Sequence, residues 1–62
     1  MIYGDYVRQD GLTVFVYPDK ETGMVILQIK EARWELFRQQ LSPANADMIA
    51  LYLQQNAAKL KP

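Results

Sequence analysis

The first half of the chain shows the alternation of a β-sheet, but apolar side chains occupy both parities of that alternation. A strand with one face on a core and the other in water carries apolar residues on one parity only. Between residues 11 and 31, one parity holds Val14, Val16, Val25, Leu27 and Ile29, and the other holds Phe15, Tyr17, Met24 and Ile26. The pattern predicts a sheet with an apolar surface on each side, which indicates that the second side contacts something other than water.

Asp10-Gly11 is the strongest hairpin signal in the chain, because both central residues of a type I′ turn need a positive φ. A turn there predicts the pairs Gln9–Leu12, Arg8–Thr13, Val7–Val14 and Tyr6–Phe15. In this register one side of the sheet, the valine face, holds Val7, Val14 and Val16. The other side, the aromatic face, holds Tyr6, Arg8, Thr13, Phe15 and Tyr17.

A second turn is predicted over residues 18–23, PDKETG, because Pro18 presets φ and Gly23 can adopt a left-handed conformation. The strand that follows continues both faces. It adds Val25, Leu27 and Ile29 to the valine face, and Met24, Ile26, Gln28 and Lys30 to the aromatic face. The predicted strands therefore cover about residues 3–9, 12–17 and 24–30.

The C-terminal segment predicts one helix over about residues 43–59. Ser42 is a good N-cap and Pro43 suits the first helical position. One apolar stripe, which includes Ile49 and Leu53, is expected to pack on the valine face. That packing predicts nearly complete burial of Val14, Leu27, Ile29, Ile49 and Leu53. A second stripe is left for self-association, and it consists of Met48, Leu51 and Tyr52.

Residues 31–41, EARWELFRQQL, admit two interpretations. Propensity favours a helix, because the segment has no β-branched residue and its apolar residues recur three and four apart. Context favours a fourth strand at 34–41, with Trp34 and Arg38 on the aromatic face and Phe37 on the valine face. The expected fold is a single α+β domain over residues 1–62, with an antiparallel sheet of three to four strands and one C-terminal helix. The alternative is a pair of β-hairpins followed by two short helices.

Composition narrows the class of function. The chain has no Cys and no His, and its seven basic and seven acidic residues cancel. We therefore expect no catalysis, no metal site and no cofactor, and no overall field that would attract nucleic acid or a membrane. The sequence shows neither a signal peptide nor an apolar run of membrane-spanning length, which predicts a soluble, cytoplasmic protein.

The aromatic face is the candidate binding surface. Its predicted site residues are Tyr6, Arg8, Phe15, Tyr17, Lys30, Trp34 and Arg38. Aromatic side chains next to basic side chains are suited to binding single-stranded nucleic acid, because the rings stack on bases and the cations neutralise phosphates. The same residue types are enriched in protein interfaces. We therefore expect a small binding module that forms a homodimer and binds single-stranded nucleic acid. The alternative is a phage- or plasmid-like regulatory or inhibitory protein that docks on another protein.

Residues 11–56 resemble the transcriptional-coactivator and whirly family of single-stranded-DNA-binding proteins. The resemblance lies in GMVILQIKE, a fourth strand, and then LSPANADMIALYLQQ. It implies a curved four-stranded sheet before one helix, with helices that help to build a dimer. Lys30 matches a basic strand-end position of the family, and Ser42-Pro43 match the helix opening. The chain lacks the family's basic loop between the last two strands and its excess of Lys and Arg.

Overall fold

The computed structural model describes residues 5–61 and contains a four-stranded antiparallel sheet followed by one helix. The elements are β1 (Asp5–Gln9), β2 (Leu12–Asp19), β3 (Met24–Glu31), β4 (Trp34–Leu41) and α1 (Pro43–Leu60). The strands lie in chain order across the sheet. The α+β prediction is confirmed, and residues 34–41 form a strand rather than a helix. Residues 3 and 4 of the predicted first strand lie outside the described residues. Within residues 5–61, no helix has the length and apolarity needed to cross a membrane.

The β1–β2 hairpin has the register that the Asp10-Gly11 turn predicts. Gln9 pairs with Leu12, and the pairing continues without interruption to Asp5 opposite Val16. Asp10 and Gly11 both have positive φ, at 54° and 79°. Two positive φ values at the central positions are the signature of a type I′ turn, whose twist matches that of the flanking strands. The turn therefore fixes which side chains share a face.

The second turn is shorter than predicted, because β2 extends through Pro18 to Asp19. Pro18 pairs with Val25, and Asp19 pairs with Met24. The Asp19 Oδ1 atom accepts a hydrogen bond from the Glu21 N–H at 3.0 Å, and the Gly23 N–H closes the turn on the Asp19 carbonyl at 2.9 Å. The carboxylate thus supports the turn locally, as Asp does in an Asx-turn.

The β3–β4 hairpin contains a β-bulge that the sequence does not predict. Ile29 pairs with Phe37, but the next residue, Lys30, pairs with Glu35. Leu36 is therefore an extra residue on β4 without a partner on β3, which is the definition of a bulge. The turn beyond the bulge has positive φ at Ala32, at 52°, where most L-residues are strained.

The helix begins as the sequence predicts. The Ser42 Oγ atom accepts a hydrogen bond from the Asn45 N–H at 3.2 Å, and Pro43 occupies the first turn. The helix runs to Leu60, and Lys59 lies in its last turn, where a cation interacts favourably with the helix dipole. Only Ser42 separates the end of β4 from the start of α1.

The predicted core is wrong. Val14, Leu27 and Ile29 are half-buried, whereas Ile49 and Leu53 are exposed, the latter at 67%. Among residues 5–61 only one side chain, Ile26, is fully buried, and it lies on the aromatic face rather than the valine face.

The helix approaches β3 and β4 but neither of the other two strands. Every residue of α1 is exposed except Ala46, near its first turn. A one-residue connection gives the chain no slack to fold the helix back across the valines, because such connections usually need two to six residues.

We predict that Ile26 dominates the stability of the sheet. Ile26→Ala removes the only fully buried side chain among residues 5–61 and should lower the free energy of unfolding by about 2–5 kcal/mol. Ile26→Val should cost about 0.5–1.5 kcal/mol and stay measurable if the first variant does not fold. The control is Leu60→Ala, at a residue that is 88% exposed, with an expected change below about 0.5 kcal/mol. Urea unfolding measures all three. Equal decreases in the free energy of unfolding for Ile26→Val and Leu60→Ala would contradict the dominant role of Ile26.

Candidate nucleic-acid interface

The aromatic face is organised in rows that run across the strands. Register places Arg8, Thr13, Lys30 and Glu35 in one row, at the end of the sheet that carries the Asp10-Gly11 turn. The next row contains Tyr6, Phe15, Gln28 and Arg38, and a third contains Tyr17, Ile26 and Gln40. Neighbours within a row are about 4.8 Å apart, and successive rows are about 6.6 Å apart. Six of the seven predicted site residues therefore lie on one surface.

Tyr6 and Phe15 are the centre of this surface. Their ring centroids are 6.0 Å apart with an angle of 40° between the ring planes. The Arg8 guanidinium carbon lies 5.7 Å from the Tyr6 ring centroid, within the range of a cation–π interaction. Tyr6 is exposed, and Phe15 is half-buried between its neighbours. Two rings and a cation thus form one connected group that is open to solvent.

Trp34 does not lie on the aromatic face, which corrects the prediction. It pairs with Glu31, whose parity is that of the valine face. The cause is the bulge at Leu36, which reverses the alternation between Arg38 and Trp34. Trp34 is 65% exposed, and its ring centroid lies 5.6 Å from the Arg33 guanidinium carbon.

The same bulge brings Glu35 onto the aromatic face, where the sequence did not predict an acidic residue. The Gln28 amide donates a hydrogen bond to the Glu35 Oε1 atom at 2.6 Å. The face therefore carries Arg8, Lys30 and Arg38 as cations, together with the carboxylates of Glu35 and Asp19. No sequence signal marks Leu36 as a bulge, since it is neither Gly nor flanked by one. The resulting surface has mixed charge rather than being uniformly positive.

A cavity of about 540 Å³ opens at the turn end of the aromatic face. Its volume falls within the range of small-ligand sites. Its lining includes Arg8, Asp10, Thr13, Phe15, Lys30 and Ala32. The lining residues thus include two basic residues, one acidic residue, one threonine and one phenylalanine.

The predicted oligomer interface residues, Met48, Leu51 and Tyr52, lie together on the exposed surface of α1. The neighbouring Ile49 and Leu53 are exposed as well, and with Tyr52 and Asn56 they line a shallow apolar hollow. The Asn56 amide donates a hydrogen bond to the Tyr52 carbonyl at 2.8 Å, so the polar end of this hollow is already paired. The helix therefore presents apolar surface on both predicted stripes.

Comparisons with protein-family models, with curated proteins and with solved structures found no significant match. The assignment of the interface therefore depends on the geometry described above.

We predict that the β3–β4 register can be verified by disulfide formation, since the chain has no native Cys. Lys30→Cys with Glu35→Cys should form an intrachain disulfide under mild oxidation, because directly opposed residues have suitable Cα separations. The matched pair is Lys30→Cys with Leu36→Cys, which an uninterrupted register would place opposite each other. Mass spectrometry after alkylation measures the extent of disulfide formation in both variants. Cross-linking of the second pair in preference to the first would disprove the bulge and return Trp34 to the aromatic face.

Proposed function

We propose that the protein is a non-catalytic binding module whose aromatic face binds single-stranded nucleic acid. The observation that carries the proposal is the Tyr6–Phe15 ring pair with the Arg8 guanidinium beside it. Single-strand binding requires rings on which bases stack and nearby cations that track the phosphates. Stacking is tolerant of sequence because every base has a π-face. The proposed ligand is therefore an unpaired DNA or RNA strand that runs across the rows.

The position of the cations supports a defined path for the strand. Arg8 and Lys30 flank Thr13 in the row nearest the Asp10-Gly11 turn, and Arg38 lies in the same row as the two rings. A strand whose bases contact Tyr6 and Phe15 would therefore meet Arg8 and Lys30 in the row nearest the turn and Arg38 at the β4 end of the ring row. Glu35 and Asp19 reduce the attraction of the face, and the chain as a whole has no net charge. We expect an affinity that is appreciable only at low salt.

We further propose that the binding unit is a homodimer built on the helix stripe Met48, Leu51 and Tyr52. Among residues 5–61 only Ile26 is fully buried, and none of the helix is. A chain of this size buries too little apolar surface to be very stable alone, and it has no disulfide to compensate. A second copy is the simplest cover for an exposed apolar helix, because a two-fold axis brings the same stripe from both chains together.

A second candidate function is docking on another protein, as a small regulatory or inhibitory factor. The observation that favours it is a group of exposed apolar side chains on β4, formed by Trp34, Leu36 and Phe37. Trp and Phe side chains are enriched in protein interfaces, and exposed apolar patches often mark them. This surface is distinct from the Tyr6–Phe15 group. The two functions therefore respond to different substitutions.

We predict that substitutions on the aromatic face separate charge from stacking. Arg8→Ala and Lys30→Ala should weaken oligonucleotide binding and reduce the slope of log affinity against log salt by roughly one for each phosphate that is no longer neutralised. Phe15→Ala should weaken binding about fivefold or more with an unchanged slope, since stacking releases no counterions. Fluorescence anisotropy with a labelled oligonucleotide measures both quantities.

Trp34→Ala is the matched control for Phe15→Ala, because it removes an exposed ring from the other side of the sheet. Its affinity should stay within about twofold of the parent, since Trp34 lies away from the stacked bases. If the parent does not bind an oligonucleotide at about 50 mM salt, the nucleic-acid proposal is wrong. Docking on another protein is then the better-supported of the two candidate functions. An affinity that falls more for Trp34→Ala than for Phe15→Ala would place the ligand on the valine face.

The dimer is tested by light scattering at micromolar concentration. The parent should have twice the chain mass of 7.2 kDa. Leu51→Glu should yield monomers, because it places a charge in the proposed apolar contact. The control is Ala57→Glu, which lies about half a turn around the helix from Met48 and about a third of a turn from Leu51. A monomeric parent would contradict the proposal, and dissociation by Ala57→Glu alone would assign the contact to the other stripe.

A further inference from the structure

The cavity at the turn end of the aromatic face is more specialised than a stacking surface. Its basic residues, Arg8 and Lys30, come from β1 and β3, with Thr13 between them on β2. The Phe15 ring contributes apolar surface on the side nearer Tyr6. Asp10, in the hairpin turn, also lines the cavity. Within the cavity lining, the two cationic residues therefore lie on strands, and the acidic residue lies in the hairpin turn.

The polar groups of this cavity are available to a ligand. Within residues 5–61, the described side-chain hydrogen bonds involve other residues and leave Arg8, Asp10 and Lys30 without an intramolecular hydrogen-bond partner. A carboxylate near two basic side chains would ordinarily be expected to pair with one of them. The hairpin geometry keeps Asp10 in the turn at a φ of 54°, whereas Arg8 stacks on Tyr6.

We propose that this cavity is a nucleotide subsite in which the Asp10 carboxylate recognises a guanine base. The inference rests on the proposed function, since it assigns one position along the bound strand. In this arrangement the base enters the cavity beside Phe15, and its phosphate lies against Arg8 and Lys30. The Asp10 oxygens accept hydrogen bonds from the Watson–Crick edge, which is one of the two base edges that single-strand readers contact.

Guanine fits a carboxylate better than the other bases because of its donor pattern. A carboxylate only accepts hydrogen bonds, through two adjacent oxygens. Guanine presents two adjacent donors, N1–H and the N2 amino group, and so makes two parallel bonds with one charged group. Cytosine and adenine present one amino donor beside an acceptor. Thymine and uracil present one N–H between two carbonyl oxygens, which a carboxylate repels. The expected order is therefore guanine first, cytosine and adenine next, and thymine or uracil last.

The test is competition against a labelled oligothymidylate of about 8 nucleotides, at about 50 mM salt. The competitors are the unlabelled thymidylate and three versions with one guanine, at the 5′ end, the centre or the 3′ end. At least one guanine strand should compete about fivefold or more better than thymidylate, as a bidentate contact to a base requires. Its position would show which end of the strand occupies the cavity.

Asp10→Asn is the informative variant, because Asn-Gly preserves the type I′ turn while the acceptor pair and the charge are removed. It should abolish the preference for guanine. Glu21→Gln, in the turn at the opposite end of the sheet, removes one negative charge elsewhere and should keep the preference. Equal competition by all four strands against the parent would overturn the subsite and leave the proposed function intact. A guanine preference that persists in Asp10→Asn would overturn the role of Asp10. Absence of any binding to the labelled strand would refute the proposed function and this inference together.

Discussion

The pairing of β2 with both β1 and β3 is the constraint on which the rest of the structure depends. The two registers continue without interruption from Asp5 to Glu31, so the alternation of the pleat sorts every side chain in three strands onto one of two faces. The valines collect with Leu27 and Ile29 on one face, and the ring pair Tyr6–Phe15 collects with Arg8 and Ile26 on the other. The candidate interface is a direct consequence of this sorting.

The helix adds little to the sheet, and this has consequences for assembly. Ser42 alone connects β4 to α1, and the only helical residue that is not exposed is Ala46. The valine face therefore stays only partly buried, and both apolar stripes of the helix stay exposed. An isolated chain in this arrangement has one fully buried side chain among residues 5–61. Self-association would supply the burial that the short connection prevents, and this is why we place the dimer contact on the helix.

The sequence allowed prediction of the features that short-range rules govern. Asp10-Gly11 determined the first hairpin pair by pair, and Ser42-Pro43 marked the start of the helix. Two features depend on longer-range geometry and were missed. The bulge at Leu36 moved Trp34 off the aromatic face and brought Glu35 onto it, although neither residue type signals such a shift. The predicted docking of Ile49 and Leu53 was wrong because hydrophobic periodicity indicates which side of a helix is apolar, not whether the connection lets that side reach the sheet.

The two faces of the sheet have separate roles in this proposal, with the aromatic face as the ligand surface. Amide NMR spectra of the protein, recorded during titration with a short oligothymidylate at low salt, test this division most directly. We expect the largest shift changes to fall on Tyr6, Phe15, Gln28 and Arg38. The shift change of the Trp34 indole N–H signal should be no larger than the small shift changes of the amides in the turn at residues 20–23. Changes concentrated on Trp34 and Phe37 instead, with Tyr6 and Phe15 unmoved, would contradict the assignment of the aromatic face.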